Sequence, residues 1–287
     1  MKVIITGAGG LVGGCLARRF GREQEVLAPR RAELDVTEAA AVTRFINEGR
    51  PQLVVNCAVL GVDECERDPE AARAVNAEAP RALAAAASEA GAEFLHFSTN
   101  YVFDGEGREP YAERDEPRPL NVYGRTKEEG ERAALDANPR SYVVRTSWVF
   151  GAGKESFLST AHRELSAGRS VRAISDTWAS VTFVEDLAAR VEEIVSAGRH
   201  GLYHVVNEGV CTYEDFAREA ARLAGLNEEE AARLIETVTE SEVRRPARRP
   251  HYTPLRCMTS AELGLPPLRH WREALTAYVT ASTLLQL

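Results

Sequence analysis

The chain has 287 residues and a formal charge of −8, with 44% apolar and 27% charged residues, the make-up of a globular protein with one large or two modest cores. The acidic balance argues against a general nucleic-acid or anionic-membrane surface, and the longest apolar runs, such as Leu53–Leu60, are far too short to span a bilayer. Five cysteines (Cys15, Cys57, Cys65, Cys211 and Cys257) form no Cys-x-x-Cys pair and no Cys/His metal spacing, so reduced thiols in a cytoplasmic protein without a metal site are expected.

Met1-Lys2-Val3-Ile4-Ile5-Thr6 runs straight into a glycine turn without a cleavage-site pattern and reads as a first strand, Lys2–Thr6, rather than a signal peptide. Gly7-Ala8-Gly9-Gly10-Leu11-Val12-Gly13 follows at once, and Leu11 to Phe20 has apolar residues at helical spacing. Strand, glycine turn and helix form the context of a dinucleotide site: Gly7 for the tight turn, Gly10 for close backbone approach, Gly13 for helix packing. The amides opening the helix, from Leu11 and Val12, would face a pyrophosphate. A plain strand-to-helix turn is the simpler alternative.

Glu25–Ala28 reads as a second strand. Where NAD binders carry an acid for the ribose 2′-hydroxyl, this chain has Pro29-Arg30-Arg31. Two guanidinium groups suit a 2′-phosphate, so NADPH is favoured with NADH second, against the plainer reading of a solvated basic loop. Leu34-Asp35-Val36 comes next, then a helix from Thr37, as N-cap, to about Gly49. Gln52–Cys57 is a strand buried on both faces and leads to Ala58-Val59-Leu60-Gly61-Val62-Asp63. In the alanine-rich stretch Asp68–Ala90, Pro69 suits the first turn and Pro80 marks a kink or boundary. Ala92–Ser98 is a fourth strand, followed by Thr99-Asn100-Tyr101-Val102-Phe103-Asp104-Gly105 and a polar loop to Pro119.

With Leu120 to Ala137 helical, Tyr123 and Lys127 lie one turn apart on one face. An ammonium there is expected to lower the phenol from about 10 toward 7, which needs roughly 4 kcal/mol of preferential phenolate stabilisation. The product is a proton donor for a reducible carbonyl. Such a pair by itself is ordinarily a surface pair, and the surrounding chain gives it weight. A fifth strand, Tyr142–Ser147, ends at Trp148-Val149-Phe150-Gly151.

Five strands alternating with helices predict an α/β fold with a doubly wound parallel sheet. Gly7–Gly13, Arg30, Ala58, Thr99 and Trp148 all fall at carboxyl ends of strands, where ligands of such sheets sit. Beyond Gly151, Phe157–Leu165 and Glu185–Val195 read as helices and Gly201–Val206 as a strand. Thr212–Ala224 is a helix with Thr212 as cap and Asp215 at its third position. Arg244-Arg245-Pro246-Ala247-Arg248-Arg249-Pro250 is either a diphosphate-holding strip or a solvated loop, and His270–Val279 closes the chain as a short helix.

These segments together resemble the extended short-chain dehydrogenases/reductases, and within them the dTDP-4-dehydrorhamnose reductase family, over nearly the whole length. The matching residues are Gly7 to Gly13, Glu33-Leu34-Asp35-Val36-Thr37, Ser98 to Gly105, Pro119 to Gly124, Lys127 and Arg145 to Gly151, with Arg249-Pro250 and Trp271 later. The resemblance implies a Rossmann domain at 1–151 and a smaller α/β domain at 152–287 for the sugar nucleotide, with some segments returning to the Rossmann sheet. It implies reduction by NAD(P)H of the C4 ketone of a dTDP-linked 6-deoxy-4-keto hexose, as in dTDP-rhamnose biosynthesis. Tyr123 would protonate the alkoxide, Lys127 would hold the nicotinamide ribose and acidify Tyr123, and Thr99 would hydrogen-bond the carbonyl. Asp35 and Val36 would border the adenine, and Cys57, Ala58, Val59 and Ser98 would line the cofactor. Val62, Asn100, Val102, Trp148, Trp178 and Arg249 would face the sugar nucleotide.

Three segments depart from the family. Asn100 stands for an aspartate and can hydrogen-bond but carries no charge. Asp176-Thr177-Trp178-Ala179-Ser180-Val181-Thr182 and Tyr252-Thr253-Pro254-Leu255-Arg256 keep only part of the family's substrate-side motifs. An NADP-binding regulatory subunit similar to the methionine adenosyltransferase β subunit, a nucleotide-sugar epimerase, and assembly as a homodimer stay open at this stage.

Overall fold

The computed structural model describes residues 1–153 and 155–284; Lys154 and the last three positions of the expected 152–287 unit lie outside them. Among the described residues, six strands form one all-parallel sheet: β1 (Lys2–Thr6), β2 (Glu25–Leu27), β3 (Leu53–Asn56), β4 (Glu93–Thr99), β5 (Ser141–Thr146) and β6 (Gly201–His204). Their spatial order is β6-β5-β4-β3-β1-β2. The order reverses between β1 and β3, which opens a crevice at their carboxyl ends.

Alternate side chains of each strand serve opposite faces. Val3 and Ile5 of β1, Leu53 and Val55 of β3, Leu95 and Phe97 of β4 and Tyr142 and Val144 of β5 pack on one side, with Leu16 and Phe20 of helix α1 (Leu11–Phe20). Ile4, Val54 and Phe94 point the other way, against Val42 and Ile46 of α2 (Ala39–Gly49), Leu83 and Ala87 of α3 (Ala79–Glu89) and Ala134 of α4 (Val122–Ala137). Most of these are fully buried, and each large aliphatic one contributes about 1.5–3 kcal/mol relative to exposure. Helix α4 is further tied to β5 by a buried bidentate pair, Arg145 to Glu131 at 2.8 and 2.6 Å.

Several local expectations change. Thr37 is not a cap: its amide and hydroxyl both donate to Asp35 Oδ1, at 3.0 and 2.7 Å, and α2 starts two residues later. That Asx-type turn competes with the helix for Thr37. Pro80 sits in the first turn of α3, immediately after a π turn at Ala74–Glu78. The wider turn accommodates the ring and the missing N–H. The carbonyl it frees, Asn76 O, is where Gly130 of α4 packs; a Cβ at Gly130 would stand 2.2 Å from it.

Thr212 caps its helix, Tyr213–Leu223, in a capping box with Asp215. The sixth strand is the expected Gly201–Val206, shortened to Gly201–His204. Small parallel pairs that the sequence pattern does not reveal lie beyond the main sheet: Val171–Ile174 with Ile235–Val238, Val149–Phe150 with Thr182–Phe183, and Trp178–Ala179 with Tyr252–Thr253. At two to four residues each, they are too short to show a period. No helix among the described residues is long and apolar enough to cross a membrane.

Candidate active site

Two cavities, of about 740 and 770 Å³, meet over the turn after β1 and together run along the carboxyl ends of β1, β3, β4 and β5. The turn can be built only with glycine at two places. Gly7 has φ +70°, and a Cβ there would fall 2.5 Å from the Cys57 carbonyl carbon; at Gly13 it would fall 2.5 Å from Gly7 O. Gly10 opens α1, so the helix begins without a side-chain cap and the first-turn amides of Leu11, Val12 and Gly13 border the cavity. This is a cradle for an anion: unpaired N–H groups at the positive end of a helix dipole.

The larger cavity extends over Arg30, Arg31, Asp35 and Val36, with Ala58 and Val59 on the far wall. Arg31 pairs loosely with Asp35 at 3.5 Å, and both side chains stay accessible. The Thr37 hydrogen bonds, followed by Arg31, hold the Asp35 carboxyl below its ordinary range. Arg18, absent from the sequence-based set, joins them. It stands one turn after Gly14 on the cavity side of α1, an i, i+4 relation that was readable once the glycine turn was identified.

The other cavity gathers Ser98, Thr99, Asn100, Tyr123 and Lys127. Asn121 caps α4 by accepting from Gly124 N at 2.8 Å. Gly124 lets that turn come against Tyr101, since a Cβ would stand 2.1 Å from Tyr101 O. Tyr123 is thereby laid beside Thr99. The expected lowering of the phenol is not found. Burial pushes Tyr123 up to about 12, and its hydrogen bond with Thr99 offsets this only in part. The ammonium is directed elsewhere: Lys127 Nζ lies 2.5 Å from Phe97 O and 3.1 Å from His96 Nε2, both on β4. Burial in turn brings Lys127 down to about 8.

On the opposite wall of this cavity, Asp63 holds Arg249 through two hydrogen bonds of 2.7 and 2.9 Å, and Val62, Arg245 and Arg249 line the wall. Asn100 is 2% exposed, and its amide donates to Thr253 Oγ1 at 2.7 Å, so it fastens the wall to the later chain. Trp148 adopts φ +39° and stacks on Tyr213, with ring centroids 3.9 Å apart. Its indole nitrogen and the Ser98 and Ser147 hydroxyls are buried without a hydrogen-bond partner among the described residues, and all three residues border this cavity. Tyr101, Phe157, Tyr213 and Arg245 are wall residues that the sequence-based set omits. Two residues in that set are not on the wall: Val102 is fully buried with Phe103, Val206 and Leu255, and Trp178 is an exposed ring on a two-residue strand.

The whole described chain matches one family model, the RmlD substrate binding domain, over residues 1–284. A dTDP-4-dehydrorhamnose reductase of Mycolicibacterium smegmatis is 41% identical over 98% of this chain and 85% of its own length. A probable dTDP-4,6-dihydroxy-2-methyloxan-3-one 4-ketoreductase of Streptomyces antibioticus is 41% identical over 96% of this chain and 93% of its own. Among solved structures, a dTDP-4-dehydrorhamnose reductase from Clostridium acetobutylicum superposes with a TM-score of 0.91 at 37% identity, covering 100% of both chains. One from Bacillus anthracis in complex with NADP does so at 0.91 and 29% identity, covering 98% of this chain and 99% of its own. With its glycine cradle, its Thr99, Tyr123 and Lys127 and a match that runs from end to end, the chain belongs to the dTDP-4-dehydrorhamnose reductase family.

Proposed function

We propose that this protein is an NADPH-dependent ketoreductase acting on the 4-keto group of a dTDP-linked 6-deoxy-4-keto sugar. The observation that carries the reading is the meeting of the anion cradle with Thr99, Tyr123 and Lys127 in one continuous groove. Bound NADPH supplies the hydride that the ketone carbon receives. Leu11, Val12 and Gly13 amides would hold the pyrophosphate, Asp35 and Val36 the adenosine, and Arg30 and Arg31, with Arg18, the 2′-phosphate. Lys127 would hold the nicotinamide ribose.

Thr99 would orient the carbonyl oxygen. Tyr123 is protonated throughout the neutral range because burial has raised its pKa, which is the state a proton donor needs. As charge gathers on the carbonyl oxygen, the phenol O–H breaks and the proton passes to the nascent alkoxide. The alkoxide is the far stronger base, so the transfer does not require an acidified phenol.

Arg245 and Arg249 of the 152–287 unit would share the sugar-nucleotide wall with Val62, Asn100 and Trp148, which come from the Rossmann half. The unpaired thiols among the described residues fit a cytoplasmic setting. Mixing the protein with NADPH and a panel of nucleotide-linked 4-keto sugars tests the reading. Oxidation of NADPH with a dTDP-linked member supports it; tight cofactor binding without oxidation for any of them would point to the regulatory-subunit alternative.

A further inference from the structure

Among the described residues, four charged side chains line the cavity that holds Tyr123: Lys127, Glu155, Arg245 and Arg249. Three of them are engaged at close range. Lys127 donates to Phe97 O, Glu155 accepts from Arg163 at 3.0 and 2.7 Å, and Arg249 donates to Asp63 at 2.7 and 2.9 Å. Arg245 stands apart. Its carboxylate partner among the described residues is Glu240, 3.7 Å away and too far for a hydrogen bond. Glu240 Oε2 is in turn buried without a hydrogen-bond partner among the described residues. The backbone beside Arg245 is nevertheless fixed. Ala247 N donates to Asp63 Oδ1 at 3.3 Å, Arg248 O accepts from Asn121 Nδ2 at 2.8 Å, and Pro246 locks its own φ.

The Arg245 side chain is 25% exposed, and its charge, with that of Arg249, reaches the phenols of Tyr101 and Tyr213, whose rings line the same cavity. The Tyr101 ring stands edge-on to that of Tyr123, with centroids 6.0 Å apart, so the guanidinium lies on the Tyr101 side of the proton donor. C4 and C1 stand at opposite corners of a hexopyranose. A sugar whose C4 ketone meets Tyr123 therefore carries its anomeric phosphate one ring-width away from the phenol, the offset that Tyr101 provides. A guanidinium offers five donors in a planar fork that matches two phosphate oxygens, and a loosely paired one is free to turn toward them. Resting on the reading that Tyr123 protonates a nucleotide-linked 4-keto sugar, we propose that Arg245 binds the substrate's diphosphate, at the phosphate next to the sugar, with the Tyr213 hydroxyl as a second donor. The guanidinium moves from Glu240 to the phosphate, while Arg249, held by Asp63, keeps the wall in shape.

Isothermal titration of the full-length protein saturated with NADP, which keeps the glycine cradle filled, tests this with dTDP, dTMP and thymidine as probes. Wild type should bind dTDP about tenfold or more tighter than dTMP, because dTMP lacks the phosphate that meets Arg245. Arg245→Gln should bring that ratio to within about twofold of one, leaving the affinities for dTMP, thymidine and NADP in place. Arg245→Lys, with the charge but not the fork, should fall between, and Tyr213→Phe should shrink the ratio about threefold. Glu240→Gln removes the competing carboxylate and should tighten dTDP about two- to fivefold. A ratio unchanged in Arg245→Gln, or dTDP bound no tighter by Glu240→Gln, would overturn the proposal. If Arg245→Gln does not fold, the Arg245→Lys and Glu240→Gln variants decide. The titrations need no turnover, so the two readings fail separately. Arg245-dependent dTDP binding in a protein that reduces no ketone would leave this site standing and sink the reductase reading. Reduction of a dTDP-linked ketone with an unchanged KM for that substrate in Arg245→Gln would sink the site alone.

Discussion

Asp63 and Arg249, 186 positions apart in sequence, are joined by two parallel hydrogen bonds of 2.7 and 2.9 Å. The contact fastens the short helix Val62–Arg67, which follows β3, to the arginine-rich strip and builds one wall of the groove from two distant parts of the chain. Arg249 also donates to Ala247 O at 2.8 Å, so its guanidinium is largely committed to shaping the wall. Asp63→Ala should therefore reduce kcat/KM for the sugar nucleotide about tenfold or more while changing KM for NADPH little, since it strands a mostly buried guanidinium. Steady-state kinetics in each substrate checks this.

The same pair gives a pH dependence. The hydrogen bond from Arg249 holds the Asp63 carboxyl below the ordinary carboxylate range. A carboxyl with a depressed folded-state pKa adds stability that is complete above its unfolded value, about 3.9, and is lost as pH falls through the lower folded value. Wild type should thus exceed Asp63→Asn in melting temperature at pH 7, and the gap should close below about pH 4. A gap that stays constant down to pH 3 would mean that ionisation of Asp63 is not what the pair contributes.

Tyr123→Phe removes the proposed proton donor without disturbing the cradle. Turnover should fall roughly a hundredfold or more with the NADPH dissociation constant nearly unchanged. Fluorescence titration and initial rates separate the two effects, and retained turnover would exclude Tyr123 from the chemistry.

Arg30→Ala with Arg31→Ala should weaken NADPH binding at least about tenfold more than NADH binding, through loss of charge-assisted contacts to the 2′-phosphate. Arg18→Ala should act in the same direction. Equal losses for both cofactors would mean that these arginines do not read the phosphate.

How much of this was legible in the sequence depends on whether a residue's task is local. Gly7 and Gly13 were readable because a turn with φ +70°, and a helix start so close to it that a Cβ at Gly13 would stand 2.5 Å from Gly7 O, exclude side chains whatever the rest of the fold does. Tyr123 and Lys127 were readable from helical spacing. The direction of their pKa values was not: it depends on burial and on the β4 atoms facing Lys127, which lie about thirty positions earlier in the chain. Val102 and Trp178 were placed by resemblance alone, and the folded chain puts one in the core and the other on the surface. Arg18 was missed because the arginines after β2 already accounted for a phosphate, and the short strands beyond Gly151 were missed because two to four residues carry no period.

Following the label from NADPH deuterated at the transferring C4 position, with a dTDP-linked 6-deoxy-4-keto sugar as acceptor, tests the central claim most directly. Deuterium should appear at C4 of the product sugar in wild type, and at a rate reduced about a hundredfold or more in Tyr123→Phe. A sugar that stays unlabelled while the deuterated cofactor sits bound and unconsumed would contradict the proposed reduction.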